Sequence, residues 1–183
     1  MSAMDYRIYQ TRIAAVAPDE FFQTVREELA PELSHAWRQA YCDGCPRAEI
    51  VAIDLNGFVY LFDLDTERTI AASGLMGGQN KRPRDRGRMA GFPLSDGRLY
   101  HRGHLIPHSG HGGEDINLFA QLGSTNVGPF RNLERRGVAN PGSFYFVRLI
   151  YQEGVLSQRP AQVEQGLLLN NDPPRLDIRL FAN

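Results

Sequence analysis

Four of the five histidines, His101, His104, His108 and His111, fall within eleven residues of one another. Five of the twenty basic residues, Lys81, Arg82, Arg84, Arg86 and Arg88, fall within eight. Histidine changes charge near neutrality and is a common metal ligand, so the first cluster could do acid–base chemistry or bind zinc. The spacing 101, 104, 108, 111 would align four imidazoles on one helical face, but Gly103, Pro107 and Gly110 would break that helix. The apolar pattern around Leu99 and Leu105 instead predicts a strand over 98–107. On a strand, residues two apart share a face, so Arg102 and His104 point one way and His101 the other. An arginine beside a neutral imidazole suits a phosphodiester. The guanidinium holds a phosphate oxygen, and the imidazole accepts a proton from an attacking water.

Downstream of His104 stand Asn117, Gln121, Asn126, Gly128, Phe130 and Glu134. Asn126, just ahead of Gly128 and a short helix opening at Pro129, can offer a carbonyl oxygen to a hard cation. Magnesium prefers oxygen and keeps most of its waters, so a single protein ligand suffices. Glu134, eight residues on, lies two helical turns further and can hydrogen-bond metal-bound waters. A strand bearing the base, a loop, and a helix bearing the ligand make a ββα unit around one ion.

These residues resemble the DNA/RNA non-specific endonucleases of the ββα-metal, or His-Me finger, class. That family's signature is D-R-G-H on the strand, then N-x-x-x-Q-x-x-x-x-N-x-G-x-aromatic-x-x-x-E. Here it reads HRGH (101–104), then Asn117, Gln121, Asn126, Gly128, Phe130 and Glu134 with every interval kept. The resemblance covers about residues 98–136 and is absent before residue 48.

By that resemblance His104 is the general base, and Arg102, with His101 or Arg131, holds phosphate. Asn126 is the magnesium ligand, manganese being the substitute ion, and Glu134 supports the metal waters. Asn117 and Gln121 shape the loop and orient the base. His101 departs from the family's Asp, which secures local structure, so the local hydrogen bonding must differ here. The glycine-rich run HSGHGGED (108–115) is similar to the bacterial toxin branch. The resemblance thus implies a metal-dependent endonuclease acting on DNA, with RNA as a second substrate. It also implies an antibacterial effector delivered by a secretion system and held in check by a cognate immunity protein that is acidic where it meets residues 81–88.

The elements that must position this chemistry are legible in part. Residues 1–16 read as a short strand or extended arm. From Pro18 a helix carrying Phe22, Val25 and Leu29 on its apolar face is expected, kinked or split at Pro31, with a second piece from Glu32 to about Tyr41 placing Trp37 in the core. Residues 49–55 and 58–64 flank Asn56-Gly57, a strong hairpin signal because both turn residues tolerate positive φ. Further strands are expected over 69–76, 143–152, 163–170 and 176–182. The glycine-rich stretch 74–98 reads as a long loop, its basic run 81–88 either solvated or in contact with substrate. The fold class is α+β, an antiparallel sheet with flanking helices and a ββα unit. Residues 1–47 would form a helical segment packed on a 48–183 domain that carries the site.

Composition limits the alternatives. The chain has 183 residues, 42% hydrophobic, with a net charge of −1, so a polyanion must be met by a local basic patch such as 81–88. No apolar run is long enough to span a membrane, and the N-terminus carries no secretory pattern, so synthesis in the cytoplasm is expected. Cys42 and Cys45 cannot build a disulfide framework. With two loop histidines they could instead hold zinc in a non-catalytic nucleic-acid- or protein-binding module. His101 leaves open a third reading, a degenerate nuclease scaffold.

Overall fold

The computed structural model describes residues 3–83, 85, 87, 98–171 and 173–183. Six strands form one antiparallel sheet in the order β1-β2-β3-β6-β7-β8: β1 (Ile50–Leu55), β2 (Phe58–Asp63), β3 (Arg68–Leu75), β6 (Phe144–Ile150), β7 (Gln162–Leu169) and β8 (Arg175–Ala182). A separate two-stranded antiparallel sheet pairs β4 (Tyr100–His104) with β5 (Leu118–Leu122). The helices are α1 (Arg7–Ile13), α2 (Phe21–Thr24), α3 (Ala30–Gly44), α4 (Gly123–Val127) and α5 (Pro129–Ala139). The chain is α+β, with a mostly antiparallel sheet and flanking helices. No described helix is long and apolar enough to cross a membrane.

The β1–β2 hairpin forms as its turn chemistry requires, with φ of 57° at Asn56 and 80° at Gly57. β6 reads FYFVRLI and all seven of its residues are buried, because helices cover both faces of the sheet there. Phe146 packs its ring against Trp37 of α3 at 5.0 Å and against Tyr6 at 5.5 Å. Its neighbour Tyr145 points to the other face, where Gln165 Nε2 donates to the Tyr145 hydroxyl at 2.7 Å and to the Phe130 carbonyl of α5 at 3.0 Å. Gln165 thereby fastens α5 to the sheet centre. On the opposite face a buried ion pair joins cross-strand partners Arg148 and Glu164 at 2.9 Å. Glu164 also accepts from the Tyr6 hydroxyl and the Met4 backbone N–H, both at 2.8 Å, so its charge is well satisfied and the N-terminal segment is tied down.

Two expectations about the N-terminal part are corrected. Residues 7–13 are helical, not extended, because Tyr6 and Ile13, two turns apart, anchor one side while most residues between them face solvent. The α-helical run does divide beside Pro31, with the second piece starting at Ala30 rather than Glu32. A π turn, Val25–Leu29, precedes it, and the Ala30 N–H reaches the Val25 carbonyl, so α3 starts afresh with proline in its first turn, where no N–H is needed. Phe21, not Phe22, is the core residue; Phe22 is 42% exposed. Trp37 is buried as expected, and Tyr6, Phe21, Leu33, Trp37 and Tyr41 join the same hydrophobic cluster as the sheet.

Candidate active site

Two side chains of the six-stranded sheet hold the small sheet's connection in place. The Tyr60 hydroxyl donates to Asn117 Oδ1 at 3.1 Å, and Thr69 Oγ1 donates to the Ile116 carbonyl at 2.7 Å. From the other end Asn183 accepts from the Leu122 N–H at 2.7 Å and donates to the Ala120 and Pro160 carbonyls, both at 2.9 Å. β4 and β5 are thus fixed before α4 and α5 follow, and the order strand, strand, helix is the expected ββα arrangement.

Between β4 and the two helices lies a cleft of about 640 Å³ lined by Arg102, His104, Asn126, Arg131, Glu134 and Arg135, among others. The two-residue step brings Arg102 and His104 to it from one face of β4. On α5, positions 131, 134, 135 and 138 recur at helical spacing, so one stripe of that helix faces the cleft. His104 lies deep, 8% exposed, whereas Asn126 and Glu134 are half-buried and Arg131 and Arg135 exposed. Three arginines against one glutamate make the cleft cationic in a chain whose net charge is −1. Burial first, then the charge of Glu134, push the Tyr145 phenol well above its ordinary range, although the Gln165 hydrogen bond opposes them. Glu134 therefore sits between the cleft and the buried face of the sheet.

Asn126 makes one side-chain hydrogen bond, from Nδ2 to His101 Nδ1 at 3.3 Å, and among the described residues its Oδ1 accepts none. It does not cap α5. Gly128 occupies the cap position, without a side-chain hydrogen bond. A neutral carbonyl oxygen and a carboxylate on one cleft are a donor set that fits a hard, strongly hydrated cation such as magnesium or manganese. Among the described residues no group of three or more His, Cys, Asp or Glu side chains converges in a way that could hold a metal ion.

The remaining sequence-stated candidates stand elsewhere. Asn117 is fully buried away from the cleft. Its Nδ2 donates to the Ile106 carbonyl at 2.8 Å and the Gly113 carbonyl at 2.7 Å, and its Oδ1 accepts from the Ile106 N–H at 2.8 Å as well as from Tyr60. It locks the loop that leaves His104 and does not line the cleft. Gln121, also fully buried, packs under Gly103, where a Cβ would collide with it. His101 does not line the cleft. His108 and His111 do not line the cleft either, and His108 Nε2 meets the Arg82 carbonyl at 2.9 Å.

A second, larger cavity of about 1050 Å³ is reached by Arg82, His108 and His111 but by none of the β4 or α5 residues. Lys81 and Arg82 are exposed. Arg84, Arg86 and Arg88 lie outside the described residues. Cys42 and Cys45 are free thiols at the end of α3. Arg135 is a charged cleft residue that the sequence did not assign to the site, although its position four after Arg131 on a helix was the available signal.

Asn117→Ala should therefore cost on the order of 3 kcal/mol of stability, since it strands several buried backbone groups at once. Urea unfolding measures this. Wild-type stability with lost activity would instead place Asn117 in the chemistry.

No protein-family model matches the chain, and no curated protein does. Among solved structures, an extracellular endonuclease aligns with 73% of this chain and 68% of its own, with a TM-score of 0.39 and 18% identity. A likeness so distant bears on neither fold nor activity.

Proposed function

We propose that this chain is a metal-dependent, sequence-tolerant endonuclease that hydrolyses DNA, and RNA as a second substrate. The observation that carries the reading is the convergence of Arg102, His104, Asn126, Arg131 and Glu134, from three separate elements, on one cationic cleft. His104 takes the proton of a water as it attacks phosphorus in line, and its burial keeps the imidazole in a fixed orientation. Arg102 and Arg131 hold the phosphate oxygens, and their charge is better matched to the transition state, where negative charge builds, than to the ground state. Asn126 Oδ1 would hold a magnesium ion, with Glu134 hydrogen-bonding its waters. When bound, such an ion stabilises charge on the phosphoryl and leaving oxygens. Cleavage leaves a 5′ phosphate.

Arginines that would meet backbone phosphate rather than base edges favour any sequence over a particular one. An antibacterial effector role, with delivery into a target cell and a cognate immunity protein, rests on the likeness of residues 108–115 to the toxin branch.

Supercoiled plasmid incubated with the protein and magnesium is expected to pass through nicked and linear forms to a smear, and EDTA is expected to stop it. Discrete product bands would overturn sequence tolerance. Undiminished cleavage in EDTA would overturn metal dependence, and inertness toward both DNA and RNA with magnesium and manganese would overturn the reading as a whole.

A further inference from the structure

We infer that His101 is a positioning residue for Asn126, holding its side-chain amide so that the carbonyl oxygen is the end offered to a cation. The inference rests on the reading of Asn126 as the cation ligand. β4 turns His101 away from Arg102 and His104, so its ring does not enter the cleft. The ring lies instead over the first residue of α4. A Cβ at Gly123 would stand 2.8 Å from His101 Nε2 and 3.1 Å from Cδ2 and Cε1, so glycine supplies the seat. From that seat Nδ1 meets Asn126 Nδ2 at 3.3 Å.

The amide nitrogen can only donate, so Nδ1 is the acceptor and the neutral ring carries its proton on Nε2. An asparagine amide presents either of two chemically opposite ends when turned about its last bond. An NH₂ end turned toward a cation repels it. Hydrogen-bonding Nδ2 to His101 selects the orientation in which Oδ1 is turned away from the ring, and this is the end that accepts nothing among the described residues. Outer-shell partners of this kind orient a ligand before the ion arrives. A carboxylate at position 101 could also accept from Nδ2 but would add a negative charge. An imidazole orients the ligand while leaving Glu134 the one carboxylate lining the cleft among the described residues.

The test compares an acceptor-free variant with one that keeps an acceptor near the place of Nδ1. Manganese binding to the protein without nucleic acid is read by electron paramagnetic resonance, beside melting curves and the magnesium midpoint of cleavage. His101→Leu is expected to weaken manganese binding and raise the magnesium midpoint by roughly tenfold. His101→Asn, whose Oδ1 can accept from Asn126, is expected to stay within about threefold of wild type. Adding His101→Leu to Asn126→Ala is expected to change the manganese affinity no further, because the group being positioned is gone.

His101 is exposed, so His101→Ala serves as a second acceptor-free variant if leucine does not fit over Gly123. Wild-type manganese affinity in both acceptor-free variants would overturn the inference, as would equal losses in His101→Asn and His101→Leu, which mark packing rather than an acceptor. Unchanged manganese affinity in Asn126→Ala is a different failure, that of the metal assignment itself.

Discussion

Replacing His104 with glutamine is expected to slow phosphodiester cleavage by ~10²–10⁴, the scale for removal of a general base. Glutamine is the sharper substitution because His104, the last residue of β4, is only 8% exposed. Alanine would remove the base and also leave a cavity, so His104→Ala should lose both activity and about 1–3 kcal/mol of stability. The strand pattern alone suggests a surface histidine whose truncation leaves the fold untouched, and the burial corrects that expectation. Single-turnover cleavage and thermal melts of both variants decide the matter. Activity of His104→Gln within about tenfold of wild type would remove His104 from the role of base.

Asn126→Ala should raise the magnesium concentration needed for half-maximal cleavage by at least ~10-fold and leave only residual activity at low magnesium. Its melting temperature should hardly move, because Asn126 is half-buried and its one side-chain hydrogen bond goes to the exposed His101. Helix capping, which would have predicted a loss of stability instead, is excluded by Gly128 at the cap position of α5. Asn126→Asp separates charge from geometry. A carboxylate binds magnesium well and has no N–H for the His101 ring, so the orienting bond persists only with its direction reversed, the ring carrying its proton on Nδ1 and donating. Metal affinity equal to or above that of wild type with slower cleavage is the expected result. A magnesium midpoint in Asn126→Ala equal to wild type would end the assignment of Asn126 to the cation.

What the amino-acid sequence determined by itself is what depends on neighbours along the chain. Asn56-Gly57 specified the first hairpin because only residues at ease with positive φ make that turn. The apolar runs of β3, β6, β7 and β8 declared themselves by length and composition, and Pro129 marked the start of α5. The two-residue step from Arg102 to His104, and the intervals through Asn126 to Glu134, already put those side chains within one short ββα unit.

Tertiary structure decided the rest, because burial is set by what packs on the other side. β5 and α4 escaped notice: LFAQL has no polar face to alternate, being covered on both sides, and five residues carry too little period to announce a helix. Phe21 and Phe22 are equivalent as sequence, and only the sheet surface chose the first. Asn117 and Asn126 are likewise the same residue type in the same motif. One spends its whole amide on Ile106, Gly113 and Tyr60, the last a strand residue fifty-seven positions away, while the other is left with an unused oxygen at a cleft. Long-range hydrogen bonds, invisible to spacing, made one a fastener and the other a candidate ligand.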